Sequence, residues 1–170
     1  AALIGGVVIL GVFAVIESKV ADPMFRIPLF KIRAFSMGNF ANFLGSLGRG
    51  GMMFILIIWL QGIWLPEHGY SFSRTPLWAG IYMIPLTVGF LVAGPISGYL
   101  SDRFGARPFA TGGMLLAALS FFLLETLPIN FSYTAFAPIL LMNGIAMGIF
   151  ASPNRAGVMN SLPAQHRGAG

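Results

Sequence analysis

Residues 77–100 read LWAGIYMIPLTVGFLVAGPISGYL and contain no charged side chain. An apolar run of about 20 residues is long enough to cross the hydrocarbon core of a bilayer as an α-helix. Because no water is present there to satisfy free backbone groups, a spanning segment of this length has to be helical. This stretch therefore predicts a transmembrane helix and decides the class of fold.

The rest of the chain has the same apolar character. Of its 170 residues, 56% are hydrophobic and only 9% are charged, and the mean hydropathy is +0.82. Soluble domains carry about 25% charged residues, so these charges are too few to cover a water-exposed surface. We expect an all-α, polytopic integral membrane protein. Four further spans are predicted at approximately 1–16, 36–60, 109–127 and 133–152. Since the first of these is short for a span, we expect the chain to be part of a longer protein.

Lysine and arginine are distributed unevenly between the predicted spans. Eight of the ten lie in the segments 17–35, 101–108 and 153–168, whereas the two alternating segments carry only Arg74. Because positively charged loops stay on the cytoplasmic side, these three segments are predicted to be cytoplasmic loops of a multi-pass cell-membrane protein. The three tryptophans cluster around residues 61–76, and we expect their rings at the outer headgroup layer. The basic balance is a topology signal, so no nucleic-acid partner is expected.

The third predicted span ends in GYLSDRFGARP, residues 98–108. Gly98 permits the close approach of a neighbouring helix, and Gly105 permits a tight turn with positive φ. Asp102 can accept hydrogen bonds at a helix start or pair with Arg103 or Arg107. A short loop with a capping Asp and ordinary cytoplasmic arginines is the simpler alternative.

The same segment resembles the cytoplasmic signature of the major facilitator superfamily, Gly-x-x-x-Asp-Arg-x-Gly-Arg-Arg/Lys. Its fixed positions and its second basic position are filled by Gly98, Asp102, Arg103, Gly105 and Arg107. Ala106 stands where the family has the first basic residue. The resemblance implies a bundle of 12–14 helices and assigns these residues to conformational switching.

Further stretches resemble the fourteen-helix drug:proton antiporters of that superfamily. They are WLQ at 59–61, WAGIYMIP at 78–85 and the tail 152–168. The resemblance implies that the chain belongs to the C-terminal half of a transporter and that its partner is the N-terminal half of the same protein. It also implies efflux of a small drug or metabolite by alternating access, driven by protons whose carrier residue lies outside this sequence.

A polar stripe distinguishes the second predicted span. Asn39, Asn42, Ser46 and Arg49 follow one another at spacings of three or four, which places them on one helical face. Polar faces of membrane helices normally point to a bundle interior or to a water-filled path. Arg49 is the sharpest candidate because it lies far from either helix end, whereas hydrogen bonding between helices is the preferred interpretation of Asn39.

Two further residues complete the predicted substrate site. Tyr82 shares a face of the third span with Trp78 and Gly89, and Asn143 lies beside Gly144 in the fifth span. Asn143 is expected either to face the cavity or to link helices, with equal weight. The substrate set is therefore Arg49, Asn42, Ser46, Tyr82 and Asn143.

Enzymatic chemistry has little support in the sequence. His68 and His166 fall in loops on opposite sides of the membrane, so they cannot share a metal, and the chain has no cysteine. We expect no catalytic residue, metal or cofactor, and a transporter in contact with the lipid bilayer, a small-molecule substrate and protons. The alternatives are a membrane-embedded enzyme and a non-transporting membrane scaffold.

Overall fold

The computed structural model describes residues 2–17, 19 and 27–162, and it is helical throughout its regular elements. Helix α1 spans Ala2–Glu17, and a 3-10 turn at Ile27–Lys31 leads into α2, Arg33–Trp59. A π-helical turn at Leu60–Trp64 and a last turn at Leu65–Glu67 continue α2. After a 3-10 turn at Phe72–Arg74, the remaining helices are α3 (Thr75–Tyr82), α4 (Ile84–Phe104), α5 (Ala106–Thr126) and α6 (Tyr133–Asn160).

Four helical segments in the described part of the chain are long and apolar enough to cross a membrane. They are Arg33–Glu67, Phe72–Phe104, Ala106–Thr126 and Tyr133–Asn160, and a shorter apolar helix lies at Ile4–Glu17. No strand occurs in residues 2–17 or 27–162. The predicted all-α, polytopic fold class is confirmed.

The helices extend beyond the bounds that hydropathy predicted. The segments 101–108 and 153–168 were expected to be loops, but α4 continues to Phe104 and α6 continues to Asn160, and residues 163–168 lie outside the described residues. The segment 17–35 is likewise shortened, since α2 begins at Arg33. The reason is that a charged side chain ends an apolar run without ending a helix, because helix ends can project past the hydrocarbon layer.

The span predicted at 77–100 is interrupted at Met83. Pro85 has no N–H to donate to Ile81 and its ring crowds that carbonyl, so the regular ladder cannot pass through this point. The chain instead makes a local turn in which the Leu86 amide donates to the Met83 carbonyl at 3.2 Å. The interruption separates α3 from α4, and Pro85 lies in the first turn of α4.

Helix α6 is the centre of the packing, since it contacts α4 and α5 extensively and α2 less so. Glycines make these contacts close. A Cβ on Gly144 would collide with the Leu86 carbonyl oxygen of α4, and one on Gly113 would lie 2.8 Å from the Ala146 carbonyl oxygen of α6. The bundle is therefore held by backbone-to-backbone approach of small residues, as is usual for membrane helices.

An aromatic cluster joins the end of α2 to α3 and the start of α6. Trp64 is 4% exposed, stacks on His68 and Phe131, and donates its indole N–H to the Phe131 carbonyl oxygen at 3.2 Å. Protein therefore surrounds the Trp64 ring, and the position of the three tryptophans at the headgroup layer stays a prediction. Trp59 and Trp78 are half-buried at the margin of the same cluster.

Candidate functional site

The polar stripe of α2 lies along the side of that helix that packs on α6. Gly45 faces Phe150 of α6, and the Gly38 carbonyl oxygen accepts a hydrogen bond from Asn154 Nδ2 at 3.0 Å. Asn42 and Arg49 lie on the same helical face as Gly38 and Gly45, because the four residues follow one another at spacings of three or four. The polar residues therefore border a helix contact inside the bundle.

Arg49 reaches from α2 to α4. Its guanidinium carbon is 4.9 Å from the centroid of the Phe90 ring, and the side chain is half-buried. No carboxylate in the described residues lies within ion-pair distance of it. Of the four acidic residues described, Glu67, Asp102 and Glu125 are exposed near helix ends, and Glu17 is buried at the end of α1. The positive charge is thus met on this side by an aromatic face alone.

The position of Arg49 along the helix makes the insertion free energy of its charge unfavourable. It stands 16 residues from the start of the continuous segment Arg33–Glu67 and 18 from its end, which corresponds to about 24 and 27 Å of helix rise. Insertion scales assign about 2.5–3.5 kcal/mol to an arginine at the centre of a span. A cation–π contact contributes only about 0.5–2 kcal/mol. Phe90 alone does not offset the cost, so Arg49 requires water or another polar group.

The neighbouring polar residues differ in their surroundings. Asn39 donates from Nδ2 to the Phe35 carbonyl oxygen at 2.9 Å within its own helix. Asn42 is half-buried and Ser46 is exposed, and neither side chain bonds to another described residue. Asn42, Ser46 and Arg49 therefore leave a continuous set of polar groups available beside the α2–α6 contact.

Tyr82 belongs to a different part of the molecule. Its hydroxyl oxygen is 3.0 Å from that of Tyr70, and its ring packs against Trp64 and Tyr133 in the aromatic cluster. Phe90, the partner of Arg49, lies eight residues further on, roughly two helical turns away. The structure thus places Tyr82 at the end of the bundle and not beside Arg49.

Asn143 lies inside a helix contact. The residue is fully buried, and its Nδ2 donates to Ser120 Oγ of α5 at 2.6 Å, while Ser120 donates to the Ala117 carbonyl oxygen at 2.7 Å. The Asn143 Oδ1 atom has no hydrogen-bond partner among the residues that the structure describes. This placement favours the expected alternative in which Asn143 links two helices.

The motif residues meet at the turn between α4 and α5. Gly105 ends α4 with φ +88 and ψ 152, a conformation essentially restricted to glycine. One turn before Asp102, Gly98 packs against α6, where an added Cβ would lie 2.8 Å from Ser152 Oγ. Both glycines therefore have the geometric roles that the sequence predicted.

The charged members of the motif do not pair with one another. Asp102, Arg103 and Arg107 are exposed, and no ion pair joins Asp102 to either arginine. The predicted pairing of Asp102 with Arg103 or Arg107 is therefore wrong in this conformation. Asp102 lies in the last turns of α4 with its side chain exposed. The Arg103 guanidinium carbon lies 5.7 Å from the Phe104 ring centroid.

Sequence comparison identifies the class of protein to which this helical bundle belongs. The family model described as Major Facilitator Superfamily matches residues 1–170. The chain belongs to the Major Facilitator Superfamily, a family of membrane transporters, and the resemblance carried by residues 98–107 is confirmed. No solved structure matches the chain.

Several bacterial relatives are similar over most of the chain. The uncharacterized MFS-type transporter YhcA of Bacillus subtilis is 30% identical over 96% of this chain and 29% of its own length. The multidrug transporter protein MdtP of the same organism is 32% identical over 81% of this chain and 24% of its own. The riboflavin transporter RibZ of Clostridioides difficile is 25% identical over 98% and 35%. The chain thus spans about a quarter to a third of the length of these relatives.

Proposed function

We propose that this chain is part of the C-terminal half of a cell-membrane transporter that exports a small drug or metabolite by alternating access. Membership of the superfamily and the names of relatives such as MdtP support transport of a small molecule. Transporters commonly contain interrupted, glycine-rich helices. The interruption at Met83 and the close glycine contacts of α6 agree with that pattern.

The observation that carries the proposal is Arg49. A half-buried guanidinium at the middle of a 35-residue apolar segment, with only a ring face opposite it, needs a polar environment. A water-filled substrate cavity provides one, and Asn42 and Ser46 extend the same polar surface. We propose that these three residues line the substrate path, with Arg49 contacting the substrate or a carboxylate of the N-terminal half.

Proton entry is the proposed driving force. The acidic side chains that the structure describes lie near helix ends, so none is placed at mid-depth to carry a proton across the membrane. We propose that the carrier belongs to the N-terminal half. Transport should respond to an imposed pH gradient and stop when that gradient is collapsed.

The test is transport by the full-length protein in proteoliposomes. Riboflavin and methyl viologen are the probes, because the relatives RibZ and the methyl viologen resistance protein SmvA of Salmonella typhimurium carry these compounds in their names. An interaction with a charged group is worth about 1.5–3 kcal/mol, so Arg49→Ala should lower the transport rate about ten- to a hundredfold. Arg49→Lys should restore only part of it, because a point charge lacks the two-pronged geometry of the guanidinium.

Arg74→Ala is the matched control, since it removes the same charge from an exposed turn at the end of a helix. It should transport like the wild type, and all three variants should elute as the wild type does on size exclusion. Wild-type transport by Arg49→Ala would contradict the proposal. An enzyme or a scaffold would transport neither probe, with or without a pH gradient.

A further inference from the structure

An apolar groove of about 270 Å³ lies between α4 and α5, with α6 as its floor. Its walls include Val92, Ile96 and Leu100 of α4, Phe109 of α5, and Ile145 and Ile149 of α6. The one hydroxyl beside it, Ser97 Oγ, is already engaged with the carbonyl oxygens of Gly94 and Gly148 at 2.9 and 3.0 Å. The groove therefore offers a purely apolar surface.

The groove runs toward a basic end. Val92, Ile96 and Leu100 follow at four-residue spacing, and Arg103 comes three residues later, so it continues the same face of α4. Arg103 is exposed and makes no ion pair with a described carboxylate, and Arg107 adds a second exposed charge just beyond the turn. An arginine without an ion-pair partner among the described residues thus continues the α4 face that lines the apolar groove, whose α4 wall is about 12 Å long.

We propose that this groove binds one acyl chain of an anionic phospholipid, whose phosphate contacts Arg103. Guanidinium groups pair with phosphate through two parallel hydrogen bonds, and basic sites between membrane helices recognise anionic headgroups. A free phosphate would use the arginine alone and a neutral lipid the groove alone. An anionic phospholipid of the surrounding bilayer matches both features, and its binding does not depend on the proposed transport activity.

The test places a benzophenone amino acid at position 96 of the full-length protein in proteoliposomes of equimolar phosphatidylglycerol and phosphatidylcholine. Irradiation should link position 96 to phospholipid, with about a fivefold excess of phosphatidylglycerol, the preference that one basic side chain gives near a membrane surface. The same probe at Leu91, 66% exposed and on another face of α4, should show no headgroup preference.

Two variants separate the headgroup contact from the groove. Arg103→Gln should reduce the lipid ratio at position 96 to about one, whereas Arg74→Gln should leave it unchanged. Crosslinks from position 96 to a peptide of the transporter would show that another helix covers the groove and would overturn the proposal. So would equal ratios at positions 96 and 91, or loss of the preference on adding inorganic phosphate, which would identify a simple anion site.

Discussion

Replacing Gly148 by alanine tests how closely α4 and α6 pack. The added Cβ would lie 2.9 Å from Gly94 N and 3.0 Å from the Phe90 carbonyl oxygen, whereas ordinary contact begins at 3.4 Å. Both atoms belong to the backbone of α4, so no side-chain rotation relieves the overlap. The helices have to separate by about 0.5 Å, a distance that overpacked cores tolerate only with strain.

The expected loss can be assembled from three terms. Overpacking costs about 1–3 kcal/mol. Separation also stretches the bond from Ser97 Oγ to the Gly148 carbonyl oxygen, now 3.0 Å, and such interhelical bonds average about 0.6 kcal/mol. Alanine regains about 0.5–1 kcal/mol over glycine within a helix. The net destabilisation is about 1–3 kcal/mol.

The measurement is the free energy of unfolding of the full-length protein in detergent micelles titrated with SDS. Gly112→Ala in α5 is the matched control, because no atom lies within 4 Å of its added Cβ, and it should be neutral or slightly stabilising. If Gly148→Ala unfolds at the same SDS fraction as Gly112→Ala, the close packing of α4 on α6 is not what stabilises this bundle.

Three further predictions concern the turn and the buried amide. Asp102→Asn should leave methyl viologen affinity in detergent unchanged but slow transport in vesicles, if its charge acts in switching as the family signature implies; normal transport, alongside a Glu125→Gln control, would refute this. Gly105→Ala should lower the free energy of unfolding by about 1–3 kcal/mol, since φ +88 and ψ 152 are essentially restricted to glycine, and a loss no larger than that of Gly112→Ala would count against it. A double-mutant cycle of Asn143→Ala and Ser120→Ala should give a coupling energy of about 0.6 kcal/mol, at most about 1.7, whereas zero coupling would show that the 2.6 Å contact contributes nothing.

Hydropathy alone predicted the class of fold, because apolar length is a direct consequence of bilayer thickness. It failed at helix ends. Charged residues such as Asp102 and Arg155 end an apolar run, but a helix continues through them as long as its backbone bonds are made. The interruption at Met83 follows from Pro85, which lacks an N–H to donate and crowds the Ile81 carbonyl.

The candidate site was predictable where it depends on one helix and not where it depends on several. The spacing of Asn42, Ser46 and Arg49 is a property of α2 alone, and the structure retains it. The partner of Arg49 is Phe90, which is one of 16 phenylalanines and carries no distinguishing pattern. The bond from Asn154 to the Gly38 carbonyl oxygen was missed for the same reason, since it joins residues 116 positions apart.

The most direct test of the proposed substrate path is the water accessibility of α2 at position 46. Ser46→Cys would be made in a cysteine-free form of the full-length protein and treated with a membrane-impermeant maleimide, with and without methyl viologen. Ile55→Cys is the control, because Ile55 is 65% exposed and lies on the opposite face of the helix from Ser46. The account predicts that Cys at 46 reacts and is protected by substrate, while Cys at 55 reacts only with lipid-soluble reagents. Reaction at 46 with lipid-soluble reagents alone would contradict the assignment of Arg49 and its neighbours to a substrate path.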